Sequence, residues 1–386
     1  MMLEKDLEKR TWPIKPDYPV EKYSTTIKNG FMINRVLRIH QSLSEPIPPG
    51  ECAITSLCLG DNGKIYGATT GKKSHLFYYD PGPEADGVCD IGVIERTTSV
   101  KKSLVAGKNG IIYGGISEGN GEGYIFAYNT KNDRMSEGKT DCGTIEKLLV
   151  PVTGEYICSL IIDSARNLIY GITGKTGTLF SFDIEHKKVN LICQIDKNGL
   201  FSETLVLDDK GNVYCCGAFG HLYKYSILDN KFTKLSVSIP TITGRDLYNK
   251  LDSAVFNKYD RLIYGGGSGD GVLFSFNPET NFIKTIGKVT SETGIPAMTA
   301  GNDGIIYGIS GEKEGMAHLF SYDPDTSSLV ELGMPSAATE NFWHGYEFSS
   351  ACTGVNGEIY LGESDRISHL FIYFPPIPVK KKIIQP

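Results

Sequence analysis

Apolar residues in this chain come in short runs that alternate with polar ones, and most runs are bounded by Asn, Asp, Gly or Pro. Alternation with a period of two marks a half-buried strand, and the bounding residues are those that enter turns cheaply. One unit shows the pattern plainly. Asn302-Asp303-Gly304-Ile305-Ile306-Tyr307-Gly308 gives a turn and a strand, and a short loop leads on to His318-Leu319-Phe320-Ser321-Tyr322-Asp323-Pro324. The same unit occurs seven times. Its second strand ends in Tyr66, Tyr113, Tyr170, Tyr214, Tyr264, Tyr307 and Tyr360, with Gly next in five copies and Cys215 or Leu361 in the other two.

The strand before each turn carries a small hydroxylated residue: Ser56, Ser103, Ser159, Thr204, Ser253 and Ser350, with Ala297 the exception. Turns such as Asp61-Asn62-Gly63 and Lys108-Asn109-Gly110 hold residues that reach positive φ, as tight antiparallel hairpins require. A third strand follows with leucine or isoleucine and alternating aromatics, as in Leu76-Phe77-Tyr78-Tyr79 and Leu273-Phe274-Ser275-Phe276. A weaker fourth strand completes most copies. Successive tyrosines lie 43 to 57 residues apart. Four short strands per repeat of that length predict an all-β, seven-bladed β-propeller of four-stranded antiparallel blades.

The ends sharpen this expectation. The seventh copy offers three strands, at 348–354, 358–362 and 369–374, and then meets Pro375-Pro376. A spare strand at 31–40 precedes the first copy. It is expected to close the ring as the outer strand of the last blade, removing the seam at which the ring would open. The division is then an irregular, proline-interrupted leader over 1–28, the propeller over 29–376 and a short basic tail over 377–386.

Composition narrows the function. The formal net charge is −6, which argues against a nucleic-acid partner or an anionic membrane surface. The first ten residues are charged from the start, with no apolar signal segment, and no long apolar run follows. Nine scattered cysteines without a Cys-x-x-Cys pair read as small buried hydrophobes in a reducing compartment. A cytoplasmic location is expected. No phosphate loop, nucleophile elbow, zinc pattern or calcium loop occurs, so the sequence names no cofactor and no metal ligands.

Over residues 30–375 the chain resembles the seven-bladed β-propeller superfamily, in the manner of WD40-like and kelch-like rings. Aromatic-Asp (Tyr79-Asp80, Phe182-Asp183, Tyr322-Asp323) stands where WD40 repeats have Trp-Asp. Gly114-Gly115 and Gly265-Gly266 are similar to kelch glycine pairs, without the kelch order of Gly-Gly, Tyr and Trp. The Tyr-Gly strand followed by a His-Leu-Phe strand resembles propellers related to polysaccharide lyases. The resemblance implies the fold and leaves the chemistry to the loops.

Residues that break the repeat are the candidates. Just before the recurring hydroxylated residue stand Thr55, Lys102, Cys158, Glu203, Asp252, Pro296 and Ser349. Lys102, Glu203 and Asp252 are expected near the channel mouth, either as ligand contacts or as charges solvated in the channel. His75, His221, His318 and His369 open third strands at one equivalent position. That position lies too far out for one shared ion, so a structural hydrogen bond to a neighbouring backbone group is expected, His221 alone following an unusual loop. The most singular loop is Asn341-Phe342-Trp343-His344-Gly345-Tyr346-Glu347, and its counterpart before blade five spans Thr243 to Lys250. Trp343, Glu347, Tyr248 and Lys250 are candidate ligand contacts, a sugar stacking on Trp343 or Tyr346 and an acid group held by Arg245 or Lys250. His344, Tyr346 and Arg245 would be the base, acid and charge neutraliser of a uronate elimination. Such aromatic loops also simply plug a channel mouth. The 57-residue spacing implies an insertion near 131–156, a candidate surface hairpin or partner contact. Two functions remain: a module binding a partner protein or a small or saccharide ligand at its loop face, and a lyase acting on acidic sugars.

Overall fold

The computed structural model describes residues 27–37, 46–82, 87–95, 97–117, 122–133, 142–196, 199–242, 244, 249–311, 315–337, 343–365 and 368–376. They form seven four-stranded antiparallel sheets and one two-stranded ribbon. Blade one is Ala53–Leu59, Ile65–Thr70, Ser74–Asp80 and Gly87–Ile94. Blade five is Leu251–Asn257, Leu262–Gly267, Val272–Asn277 and Phe282–Lys288, and the other blades repeat the order. First strands of successive blades lie beside one another all the way round, so they line the centre and the fourth strands face outward.

The ring closes as expected. Blade seven takes Phe348–Thr353, Ile359–Glu363 and His369–Phe374 from the end of the chain, and Phe31–Val36 from its beginning. Met32 pairs with Tyr373 and Val36 with His369, antiparallel throughout. The closing strand ends at Val36, and residues 38–40 lie outside the described set. Just ahead of it, the Lys28 N–H donates to Leu332 O at 2.6 Å and Ile27 bridges to Gly333, which stitches the segment to blade six as well.

The repeated tyrosine has a specific job. Its ring packs against the outer aromatic of the next blade's third strand: Tyr66 on Tyr128, Tyr170 on Tyr225, Tyr214 on Phe276, Tyr264 on Tyr322, Tyr307 on Tyr373 and Tyr360 on Tyr79. Ring centroids are 5.5–6.4 Å apart and inclined, the arrangement that aromatic quadrupoles favour. At the remaining interface Tyr113 and Phe182 share one core cluster. Four hydroxyls are also satisfied by acids of their own blade. Tyr264 donates to Asp260 at 2.5 Å, Tyr307 to Asp303 at 2.8 Å, Tyr214 to Asp208 at 3.1 Å and Tyr360 to Glu358 at 3.1 Å. Each of these acids sits in or beside the turn just before its tyrosine. Burial, and then the adjacent carboxylate, push such phenols as Tyr264 above their ordinary range, so they remain donors.

The glycine after the tyrosine answers to the third strand. A Cβ on Gly67 would come within 2.2 Å of the Phe77 ring, and one on Gly114 within 2.2 Å of Phe126. Phe180 and Phe274 cover Gly171 and Gly265 in the same way, at 2.3 and 2.4 Å. The larger Cys215 faces Tyr223, and Leu361 faces Phe371.

The stretch near 131–156 needs a correction. It is not wholly an added hairpin, because Glu146–Leu149 is the fourth strand of blade two and pairs with Ile125–Asn129. Residues 134–141 lie outside the described set. Asp133, at the start of the stretch, accepts from Tyr66 at 2.6 Å and from Tyr128 at 2.9 Å, and its Oδ2 is 3.2 Å from Lys64 Nζ. One carboxylate thereby ties blade two to blade one.

The tyrosine contact predicts a graded series. Tyr264→Phe keeps the ring but removes the bond to Asp260, and is expected to cost about 1–2 kcal/mol. Tyr264→Ala also empties the blade interface and is expected to cost about 3–5 kcal/mol. Urea unfolding of the three proteins measures both steps.

Candidate functional site

In a sheet of sequential antiparallel strands, the second-to-third turns and the blade-to-blade connections emerge on the same face. Every repeat-breaking loop named above that leads into a first strand therefore shares one end of the channel. The local device that aims the residues is a β-bulge. Pairing of first and second strands shifts between Ile54 and Ser56, Ile157 and Ser159, Leu251 and Ser253, and Phe348 and Ser350. The skipped residues are Thr55, Cys158, Asp252 and Ser349. These stand at the position where the sequence varies most, and a bulge re-aims a side chain without ending its strand.

What the bulges aim at differs by blade. Thr55 is buried, donating to Val100 O at 2.6 Å, and Ser349 donates to Ile54 O at 3.2 Å, so both bind neighbouring blades together. Cys158 is also buried. Burial, and then the Glu203 carboxylate that shares a hydrogen bond with it, push its thiol far up, so it is not a thiolate nucleophile. Glu203 itself is exposed.

Lys102 and Asp252 meet. Lys102 precedes the short first strand of blade two (Leu104–Ala106), with a left-handed φ of 46° that a non-glycine residue seldom holds. Its ammonium donates to Asp252 O, lies 3.3 Å from Thr204 Oγ1 and 3.9 Å from Asp252 Oδ1. Blades two and five stand on opposite sides of a seven-membered ring, so this side chain spans the channel. Asp252 Oδ2 accepts from the Ile295 N–H at 2.9 Å, and Thr204 donates to Asp252 O at 2.7 Å. The strut thus joins blades two, four, five and six at the channel end. Thr204 belongs to the hydroxylated series, and its part in the strut has no signal in the sequence.

Trp343 and His344 form the short ribbon with Ser336–Ala337, His344 opposite Ser336. The Gly345 N–H donates to Pro335 O at 2.9 Å, and Glu347 O accepts from Ser364 at 2.7 Å. Both ends of the loop are therefore anchored. His344 and Glu347 are half-buried, and Tyr346 is 40% exposed. The Trp343 side chain, Arg245 and Tyr248 lie outside the described residues. Lys250 is held through its backbone by Ser268 and is half-buried.

The four equivalent histidines are engaged within or beside their own blades, by side chains where backbone partners were expected. His75 Nδ1 lies 2.9 Å from Asp90 and its Nε2 3.1 Å from Glu51. His318 pairs with Glu331 at 3.1 Å and His221 with Ser238 at 2.8 Å, both partners on fourth strands. In blade seven the fourth strand places Val36 opposite His369, and Glu363 of the second strand serves instead at 2.6 Å. No group of three or more His, Cys, Asp or Glu fit to hold a metal occurs among the described residues.

These features define a seven-bladed β-propeller with a polar, strut-crossed channel end. No protein-family model matches the chain, and no curated protein does either. Solved structures do match. A catalytically inactive virginiamycin B lyase from Staphylococcus aureus with quinupristin superposes with a TM-score of 0.65 at 10% identity, over 89% of this chain and 99% of that one. The extracellular domain of BT4673 from B. thetaiotaomicron superposes with a TM-score of 0.60 at 14% identity, over 88% of this chain. The match spans 39% of that domain, well under half its length. At such identities the likeness shows the shared fold. No helix among the described residues is long and apolar enough to cross a membrane.

The His75 cluster predicts a pH effect. Burial disfavours its charged form, but the Asp90 and Glu51 carboxylates outweigh burial and raise its pKa above the ordinary value. A raised folded pKa means stabilisation that is complete at acid pH and is lost as pH rises through that pKa. Thermal melts of wild type and His75→Gln should therefore differ most below about pH 6.5, and the difference should shrink as pH rises above it.

Proposed function

We propose that this protein is a propeller binding module whose loop face, at the channel end crossed by Lys102, takes a partner protein or a small polar ligand such as an acidic saccharide. The observation that carries the reading is the strut itself. Lys102 holds an uncommon backbone conformation and reaches across the channel, yet it stands 3.9 Å from the Asp252 carboxylate. A carboxylate or hydroxyl of a ligand is a better partner for that ammonium than the distant Asp252 Oδ1. Tyr346, exposed on the same face, offers a ring for stacking, and Glu203 a carboxylate at the rim. The location we favour is the cytoplasm, supported by nine scattered cysteines without a Cys-x-x-Cys pair.

The second reading is a lyase on uronate linkages. It is supported by His344 and Tyr346 lying two positions apart on an anchored loop of this face, one half-buried and the other exposed. A half-buried imidazole beside an exposed phenol fits a base and an acid working on one bound sugar.

Two measurements separate the readings. Calorimetric titration with a panel of acidic oligosaccharides, and with any protein captured from lysate and then purified, compares wild type with Lys102→Met and Tyr346→Ala. Binding weakened about tenfold or more in either variant, with melting unchanged, supports this face; equal affinity in all three moves the site elsewhere. The same saccharides are then followed by ultraviolet absorbance of an unsaturated uronate product. A rise that His344→Ala abolishes establishes the lyase, and a flat trace across the panel leaves binding alone.

A further inference from the structure

On the same face, between the connection into blade five and that blade's second-to-third turn, two buried oxygens converge without a donor. Asp270 is fully buried and Asn249 is 1% exposed. Asp270 Oδ2 is occupied, accepting from the Ile242 N–H at 2.6 Å and from Thr241 Oγ1 at 3.1 Å. Its Oδ1 has no hydrogen-bond partner, and neither has Asn249 Oδ1. The orientation of the Asn249 amide is settled by its nitrogen, which donates to Pro240 O at 3.0 Å. Turning it over would set an oxygen against a carbonyl. Both orphaned oxygens border the same hollow over Gly267, where a Cβ would lie 2.8 Å from Asn249 Oδ1 and 3.6 Å from Asp270 Oδ1.

Two acceptors facing one buried hollow repel each other unless something positive lies between them. A bridging water would satisfy both but leave the carboxylate's charge uncompensated, and no cationic side chain among the described residues pairs with Asp270. We propose that Asp270 Oδ1 and Asn249 Oδ1 are two ligands of a hard, oxygen-seeking cation seated over Gly267, with Ca²⁺ the best match. A carboxylate oxygen together with a neutral amide oxygen is an ordinary part of a Ca²⁺ shell, which tolerates irregular geometry, whereas Mg²⁺ demands a near-ideal octahedron. With one carboxylate the site is a weak one. Its effect is local: Asp270 already holds Thr241 and Ile242, and Asn249 lies at the far end of the same connection, so the cation fastens both ends of the segment that carries Arg245 and Tyr248. This inference does not depend on what the loop face binds.

The test is titration of chelator-treated full-length protein with CaCl2 alone, by calorimetry and by thermal melting, with MgCl2 and NaCl as comparisons. Wild type is expected to bind one Ca²⁺ with a Kd of about 0.1–1 mM, and to melt about 2 °C higher at tenfold that concentration. Asp270→Asn removes the carboxylate of the two described ligands and should weaken binding at least about tenfold. Gly267→Ala places a methyl group in the hollow at a position whose φ an alanine accepts, and should abolish the response while the protein still folds. Absence of any Ca²⁺ effect on wild type up to about 10 mM overturns the proposal. A Ca²⁺ response that survives in both variants overturns it too, because the ion then sits elsewhere.

Discussion

The structure depends on one contact made again and again around the ring: the tyrosine within each second strand, laid against the outer aromatic of the next blade's third strand. A single four-stranded blade has two apolar faces and no means of covering them. The tyrosine covers one face, and in four blades it hands its hydroxyl to an acid in or beside the turn beneath it, so its polar end is satisfied where it is buried. The glycine beside it lets the third-strand phenylalanine of its own blade lie flat on the backbone. The ring contact recurs with variations around a closed circle of seven blades.

A repeating scaffold must place non-repeating chemistry somewhere, and here the bulges do so. Four first strands skip one residue beside the channel end, so that residue is free to vary while pairing resumes on either side of it. Two skipped residues, Thr55 and Ser349, became blade-to-blade hydrogen bonds. Asp252 became the receiving end of a strut that Lys102 throws across the channel. The strained backbone at Lys102, of a kind that costs about 1–3 kcal/mol, persists because its carbonyl accepts from Leu160 and its N–H donates to Thr55. Strain held in place by two neighbouring blades is pre-organisation for contact at that end.

Much of the fold was legible in the sequence because its signals are local. Alternation, Asn-Gly turns and the tyrosine spacing each concern a few neighbouring residues, and the missing fourth strand of blade seven could be matched to the spare strand at Phe31 by simple need. What escaped was set by relations between blades. Nothing local says that Asp133 accepts from Tyr66 of the preceding blade, or that the stretch after it contains a regular fourth strand. Asp303, before Tyr307, was visible as a turn residue, yet its pairing with a buried phenol needs the tyrosine's depth. The varied residues before the hydroxylated series were legible as one recurring position in the repeat. Their partners were not, because Lys102 and Asp252 are 150 residues apart and meet only when the ring is closed.

Closure of the ring by the N-terminal strand is the central claim, since both the strut and the shared loop face require it. Amide hydrogen exchange on the full chain and on Met32→Asp, which buries a charge in the closing strand, addresses it directly. The account predicts that the variant loses protection in His369–Phe374 and in the first strands of blades one and seven together, because the ring opens at that seam. Protection in these strands that is unchanged by the substitution would contradict it, and would mean that the circle is held without its first strand.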